Sequence, residues 1–145
     1  MAVRRLDHVG IVVEDLGSAT EFFVELGLRP GGRTSVGGEW VDRVVGLAGV
    51  RAEIAFLETP DGASQLELVE FQTPRHEGEA SFAPANAPGI RHLAFVVESI
   101  DETLRALRAC GAELVGDLAR YGESYRLCYV RGPAGVIVEL AEELA

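Results

Sequence analysis

Residues 6–15 read LDHVGIVVED and residues 90–99 read IRHLAFVVES. Offset by 84 positions, the two stretches align without a gap: His8 on His92, Val12 on Val96, Val13 on Val97 and Glu14 on Glu98. The correspondence runs on to Gly27 and Gly111. A second pair of stretches mirrors in the same way, LELVE at 66–70 and VELAE at 138–142. The chain is therefore a duplication in which each copy carries one His and one Glu at matched positions. A run such as 6–13, rich in β-branched residues, reads as a buried strand. Duplicated His and Glu on duplicated strands point to one pocket assembled from two halves, in which two imidazoles and two carboxylates would make a metal site.

The elements around these strands repeat in order. Asp15 is a good N-cap, followed by SATE at 18–21. Ala19, Phe22, Phe23 and Leu26 recur at helical spacing, and Gly27 fits the stop. In the second copy Ser99 is the N-cap, SIDE at 99–102 is a capping box, and Ile100, Leu104, Leu107 and Cys110 form the stripe that Gly111 ends. Strands are expected near 28–36, 51–58 and 64–71, then near 112–118, 125–131 and 136–142. TPDG at 59–62 and GPAG at 132–135 are turns leading into the last strand of each half. Each half reads as βαβββ, giving an α+β chain: a module over 5–72, a Pro-bearing linker over 73–89 in which His76 is a solvated loop residue, and a module over 90–142. The expected architecture is a single domain whose eight strands form a partly open, barrel-like sheet. His8 and Glu67 are 59 positions apart but His92 and Glu139 only 47, so the first half holds 12 extra residues. They fall within 31–50, where EWVDRVVGL could form a short helix.

Strand alternation places His8, Gly10 and Val12 on one face, and His92, Ala94 and Val96 on the matching one. The small residues beside each His leave room for a ligand. Two neutral imidazoles and two carboxylates balance a divalent charge and suit Zn, Ni, Co, Mn or Fe. Trp40, Arg43, Tyr121, Tyr125 and Arg126 are candidate substrate contacts.

Composition narrows the classes. The 145 residues carry 23 acids against 13 bases, a net charge of −10, which argues against nucleic acid and anionic membrane as partners and leaves a small molecule. All 13 bases are Arg, so lysine-based Schiff-base chemistry and a P-loop are excluded. No apolar run approaches the ~20 residues of a membrane span. The opening MAVRRLDHV lacks a signal peptide's apolar stretch, so a cytoplasmic protein is expected. Cys110 and Cys128 form no CxxC pair and read as idle thiols.

With LDHVGIVVEDL and its following FF-x-x-LG, GIRHLAFVVESID, QLELVE and RGPAGVIVELAEE in hand, the chain resembles the vicinal oxygen chelate superfamily, also called the glyoxalase/bleomycin-resistance/dioxygenase superfamily, over about residues 5–142. The resemblance implies paired βαβββ modules around a metal held by His8, Glu67, His92 and Glu139, and a homodimer. It implies a metal-dependent lyase or isomerase of glyoxalase or epimerase type working through an enolate or enediolate, with Glu67 or Glu139 as base. Glu67 agrees with glyoxalase I; the epimerases more often carry Gln there. The alternative it implies is a resistance protein that binds an antibiotic or other natural product without chemistry.

Overall fold

A computed structural model of the chain describes residues 2–79 and 82–144. The chain divides into two compact units, Met1–Glu79 and Ala80–Ala145. The described residues hold three α-helices and nine strands, and the strands make two open mixed sheets, one of four and one of five.

In the first unit the order is β1 (Val9–Val12), α1 (Leu16–Leu26), β2 (Arg29–Gly37), α2 (Glu39–Val45), β3 (Arg51–Glu58) and β4 (Gln65–Thr73). The sheet order is β1-β4-β3-β2, with β1 parallel to β4 and the other pairings antiparallel. Helix α1 starts where the Asp15 carboxylate accepts the Ser18 amide at 3.1 Å, and it ends at Gly27, whose φ of 122° most residues resist. Its buried stripe of Leu16, Ala19, Phe22, Phe23 and Leu26 packs over β3 and β4. The residues below alternate along their strands: Ile11, Leu66, Leu68, Ala55 and Leu57 share that face and are buried. Glu67, Val69 and Phe71 consequently point to the other face, as do Gly10 and Val12.

In the second unit β5 (His92–Val96), α3 (Ile100–Ala109), β6 (Glu113–Leu114), β7 (Ala119–Tyr121), β8 (Tyr125–Arg131) and β9 (Ile137–Glu143) follow, with a single 3-10 turn at Pro133–Gly135. The order is β5-β9-β8-β6, and β7 pairs with β8. The buried face of α3 is Ile100, Leu104 and Leu107. It shares a core with Val138 and Leu140 of β9 and with Cys128 and Val130 of β8, all buried. Burial pushes the Cys128 thiol up in pKa, which makes it unreactive. Cys110 and Cys128 are not joined in a disulfide.

Two expectations are corrected. The strands number nine rather than eight, because the strand expected over 112–118 is only Glu113–Leu114 and a further strand, β7, follows it. Leu114 faces Val130 and Ala119 faces Leu127, so five steps along one chain segment match three along β8. The Val115 amide still donates to the Tyr129 carbonyl at 2.8 Å, and the surplus falls within 116–118, which includes Gly116 and bulges out of the ladder. The capping box at 99–102 is half made: Ser99 Oγ accepts the Glu102 amide at 3.2 Å, but the neighbouring orphan amide of Ile100 donates to Glu142 Oε1 on β9 at 2.9 Å. A distant strand supplies the second cap.

Candidate metal centre

In each unit the parallel strand pair sets the site. Gly10 of β1 lies opposite Glu67 of β4, and Ala94 of β5 lies opposite Glu139 of β9. Each His is two residues before its small residue and so shares its face, the face away from the packed helix. A Cβ on Gly10 would meet nothing within 4 Å, so the space beside Glu67 is open.

His8 Nε2 stands 3.0 Å from Glu67 Oε2, and His92 Nε2 stands 3.9 Å from Glu139 Oε1. All four side chains are partly exposed, the histidines about twice as much as the carboxylates. Among the described residues no group of three or more His, Cys, Asp or Glu side chains is placed to hold a metal ion, and each unit holds one His–Glu pair. The pairs fit a metal in chemistry and spacing. A divalent ion bound at ~2.0–2.2 Å to N and O donors holds them about 2.9 Å apart at a right angle and about 3.4 Å apart at the tetrahedral angle. The first pair already has that spacing, and the second is wider by less than an ångström.

The surroundings of the two histidines differ. His8 Nδ1 meets Asp7 Oδ2 at 2.8 Å, and Asp7 Oδ1 is held by Arg5 Nη1 at 2.9 Å. The hydrogen bond to Asp7 raises the His8 pKa, against the effect of burial, and the Glu67 charge adds to the rise. Asp7 is lowered by the same hydrogen bond and by Arg5. His92 Nδ1 instead faces the Tyr129 hydroxyl at 3.4 Å, with ring centroids 5.1 Å apart. Tyr129 is directly opposite Glu139 across the β8–β9 hairpin. Neither Asp7 nor Tyr129 is among the residues that the sequence reading singled out. The signal for Tyr129 was present: a hairpin turning on GPAG, centred at 134, pairs 129 with 139.

The other candidates are distributed over both faces. Tyr125 and Tyr121 pair with each other and lie on Glu139's face with Tyr129, so all three tyrosines of the chain line one side of one sheet. Trp40 and Arg43 are exposed on α2. The insertion forms the short helix expected of it, and Val41 packs with Val50 and Ala52 against Val36, Val69 and Phe71. Helix α2 thus covers Glu67's face of the sheet two to four residues beyond Glu67. Arg126 takes a different direction. It is one residue out of phase with Tyr125 and Tyr129 and points to the helix face. There its guanidinium binds both Asp101 oxygens at 3.2 Å and Glu142 Oε2 at 3.3 Å, tying β8 to α3. His76 is an exposed loop residue. No helix among the described residues is long and apolar enough to cross a membrane.

Comparison with known proteins agrees with the fold. The chain is 27% identical over 138 residues to the uncharacterized protein YwbC of Bacillus subtilis, covering 94% of this chain and 95% of that one. A glyoxalase family protein from Bacillus cereus superposes with a TM-score of 0.95 at 48% identity, over 100% of this chain and 97% of that one. The fold, at 17% identity and a TM-score of 0.62, is shared with a mutant of the fosfomycin resistance protein FosX from Listeria monocytogenes, complexed with Mn(II) and 1S,2S-dihydroxypropylphosphonic acid; the match covers 96% of this chain and 90% of that one. The sequence profile of the Glyoxalase/Bleomycin resistance protein/Dioxygenase superfamily matches residues 7–129, and the chain belongs to that superfamily.

Proposed function

We propose that the chain is a metal-dependent lyase or isomerase acting on a small oxygen-chelating substrate, with His8, Glu67, His92 and Glu139 as the ligands of one divalent ion. The observation that carries this reading is the repeated pair: an imidazole Nε2 facing a carboxylate oxygen at 3.0 Å and 3.9 Å, on the face of each sheet opposite α1 or α3. When bound, the metal polarises a substrate oxygen and stabilises the enolate or enediolate.

The chain's own residues supply the rest. Glu67 or Glu139 accepts the proton from the carbon next to that oxygen and returns it. Gly10 and Ala94 leave space for the substrate. Trp40, Arg43, Tyr121 and Tyr125 are its contacts. The tyrosine-lined face of the second unit favours a second reading, sequestration of an aromatic natural product without chemistry, as in a resistance protein.

Protein purified without chelator and assayed for bound metal, beside His8→Ala, separates the readings. Near-stoichiometric Zn, Ni, Co, Mn or Fe that is lost in the variant is the expected result. Turnover is then sought with methylglyoxal plus glutathione, methylmalonyl-CoA and catechols, with bleomycin and fosfomycin as binding and modification probes. Glu139→Gln retains its fold and loses turnover. A metal-free wild type that binds bleomycin unchanged would establish sequestration instead.

A further inference from the structure

The duplication is not symmetric where it touches the imidazoles. At the offset of 84, Asp7 corresponds to Arg91 and Arg5 to Gly89, so nothing in the second half can repeat the Arg5–Asp7–His8 chain. Across the sheet, Phe56 is opposite Glu67 where Tyr129 is opposite Glu139, so the first half has no hydroxyl to repeat Tyr129. Each half thus has its own Nδ1 partner, of a different kind and from a different place: Asp7 precedes β1 and Tyr129 is on β8. Removing either leaves that His with no substitute from its twin's design.

We infer that Asp7 and Tyr129 are positioning residues that orient His8 and His92 with Nε2 turned to the metal, and that Asp7 makes the first half the stronger metal-binding half. This rests on the metal reading above. The physical reason is the tautomer. A neutral imidazole has one N–H, and an acceptor at Nδ1 holds it there, leaving the Nε2 lone pair for a metal. Asp7 is an ionised acceptor at 2.8 Å, can only accept, and is itself fixed by Arg5 at 2.9 Å. Tyr129 is neutral, lies at 3.4 Å, and can donate as well as accept. It therefore selects the tautomer weakly. A charge-assisted bond is also roughly twice as strong as a neutral one.

The test uses Zn2+ alone, with affinity measured against a competing chelator and the imidazole tautomers read from 15N chemical shifts. Asp7 is on the surface, so Asp7→Ala should preserve the circular dichroism spectrum, and Tyr129→Phe removes one oxygen only. The expected result is that Asp7→Ala weakens Zn2+ binding by about 10–100-fold, the range typical of lost outer-shell partners of metal-bound histidines. It should also free the Nδ1 proton of His8, so that the N–H moves to Nε2 beside Glu67 Oε2 at 3.0 Å. Asp7→Asn, whose amide oxygen still accepts, should fall between. Tyr129→Phe should lose only about 2–5-fold, as befits a neutral partner. If wild type binds Zn2+ and His8→Ala does not, but Asp7→Ala binds within about twofold of wild type with its tautomer unchanged, the positioning role is wrong and the metal reading stands. Wild type that fails to bind Zn2+ would overturn both.

Discussion

Asp42 offers a direct test of how the insertion is held over the site face. Its carboxylate accepts the Gly49 amide at 2.9 Å through Oδ2 and the Val50 amide at 2.8 Å through Oδ1, folding the turn after α2 back onto the helix. That turn delivers Val50, which is buried with Val41 and Ala52 against Val69 and Phe71. A helix of seven residues is too short to persist by itself. Hydrogen bonds to a charged acceptor contribute about 1.5–3 kcal/mol each where they are shielded. Asp42 is half-buried, so the lower end applies, and Asp42→Ala should favour local opening of 39–50 by about 2–3 kcal/mol. At 1.4 kcal/mol per factor of ten, the Gly49 and Val50 amides should exchange with deuterium roughly 30- to 150-fold faster. Trp40, the chain's one tryptophan, reports the same event as a fall in fluorescence anisotropy. Global circular dichroism should change little, and Zn2+ affinity should be retained, because His8 and Glu67 are held by β1 and β4. Exchange at Val50 within about threefold of wild type would refute the claim that this carboxylate anchors α2.

Arg126→Gln should leave metal content and turnover unchanged while lowering stability, since its partners Asp101 and Glu142 are on the helix face; a loss of metal would place it at the site after all. Leu68→Ala, at a fully buried position under α1, should cost about 2–5 kcal/mol by urea denaturation. Acidification should destabilise the protein through Asp15, Asp61 and Asp101. Ser18 hydrogen bonds, the Thr59 hydroxyl and the Arg126 guanidinium respectively hold these carboxyls below the usual range. A depressed folded pKa contributes stability above the ordinary value near ~3.9 and loses it as pH falls through the folded value. Thermal melts should therefore fall below about pH 4, and Asp15→Asn should flatten that limb; an equally steep limb in the variant would contradict the Asp15 contribution.

Much was legible in the sequence because it is local or repeated. Asp15 and Ser99 announce their helices through caps that reach three residues along the chain. His8 and His92 announce each other because a duplicated strand keeps its phase. The short helix in the insertion follows from a length difference and the run EWVDRVVGL inside it. Other features needed partners distant in the chain. Arg126 and Tyr125 are neighbours with equal claims as substrate contacts, and one step of strand phase sends them to opposite faces. Glu142 reads as a surface acid until the first turn of α3 is brought to it.

What the amino-acid order determined by itself was periodicity: two halves, their helices and stops, and a His and a Glu in matching phase in each half. Tertiary structure alone decided the cross-strand register. That register seats Tyr129 beside His92, places Phe56 where a second hydroxyl would otherwise stand, and lays α2 over Glu67's face. Backbone hydrogen bonding fixes the phase of one strand from within, but which residue faces which across a sheet is set by packing among segments far apart in the chain.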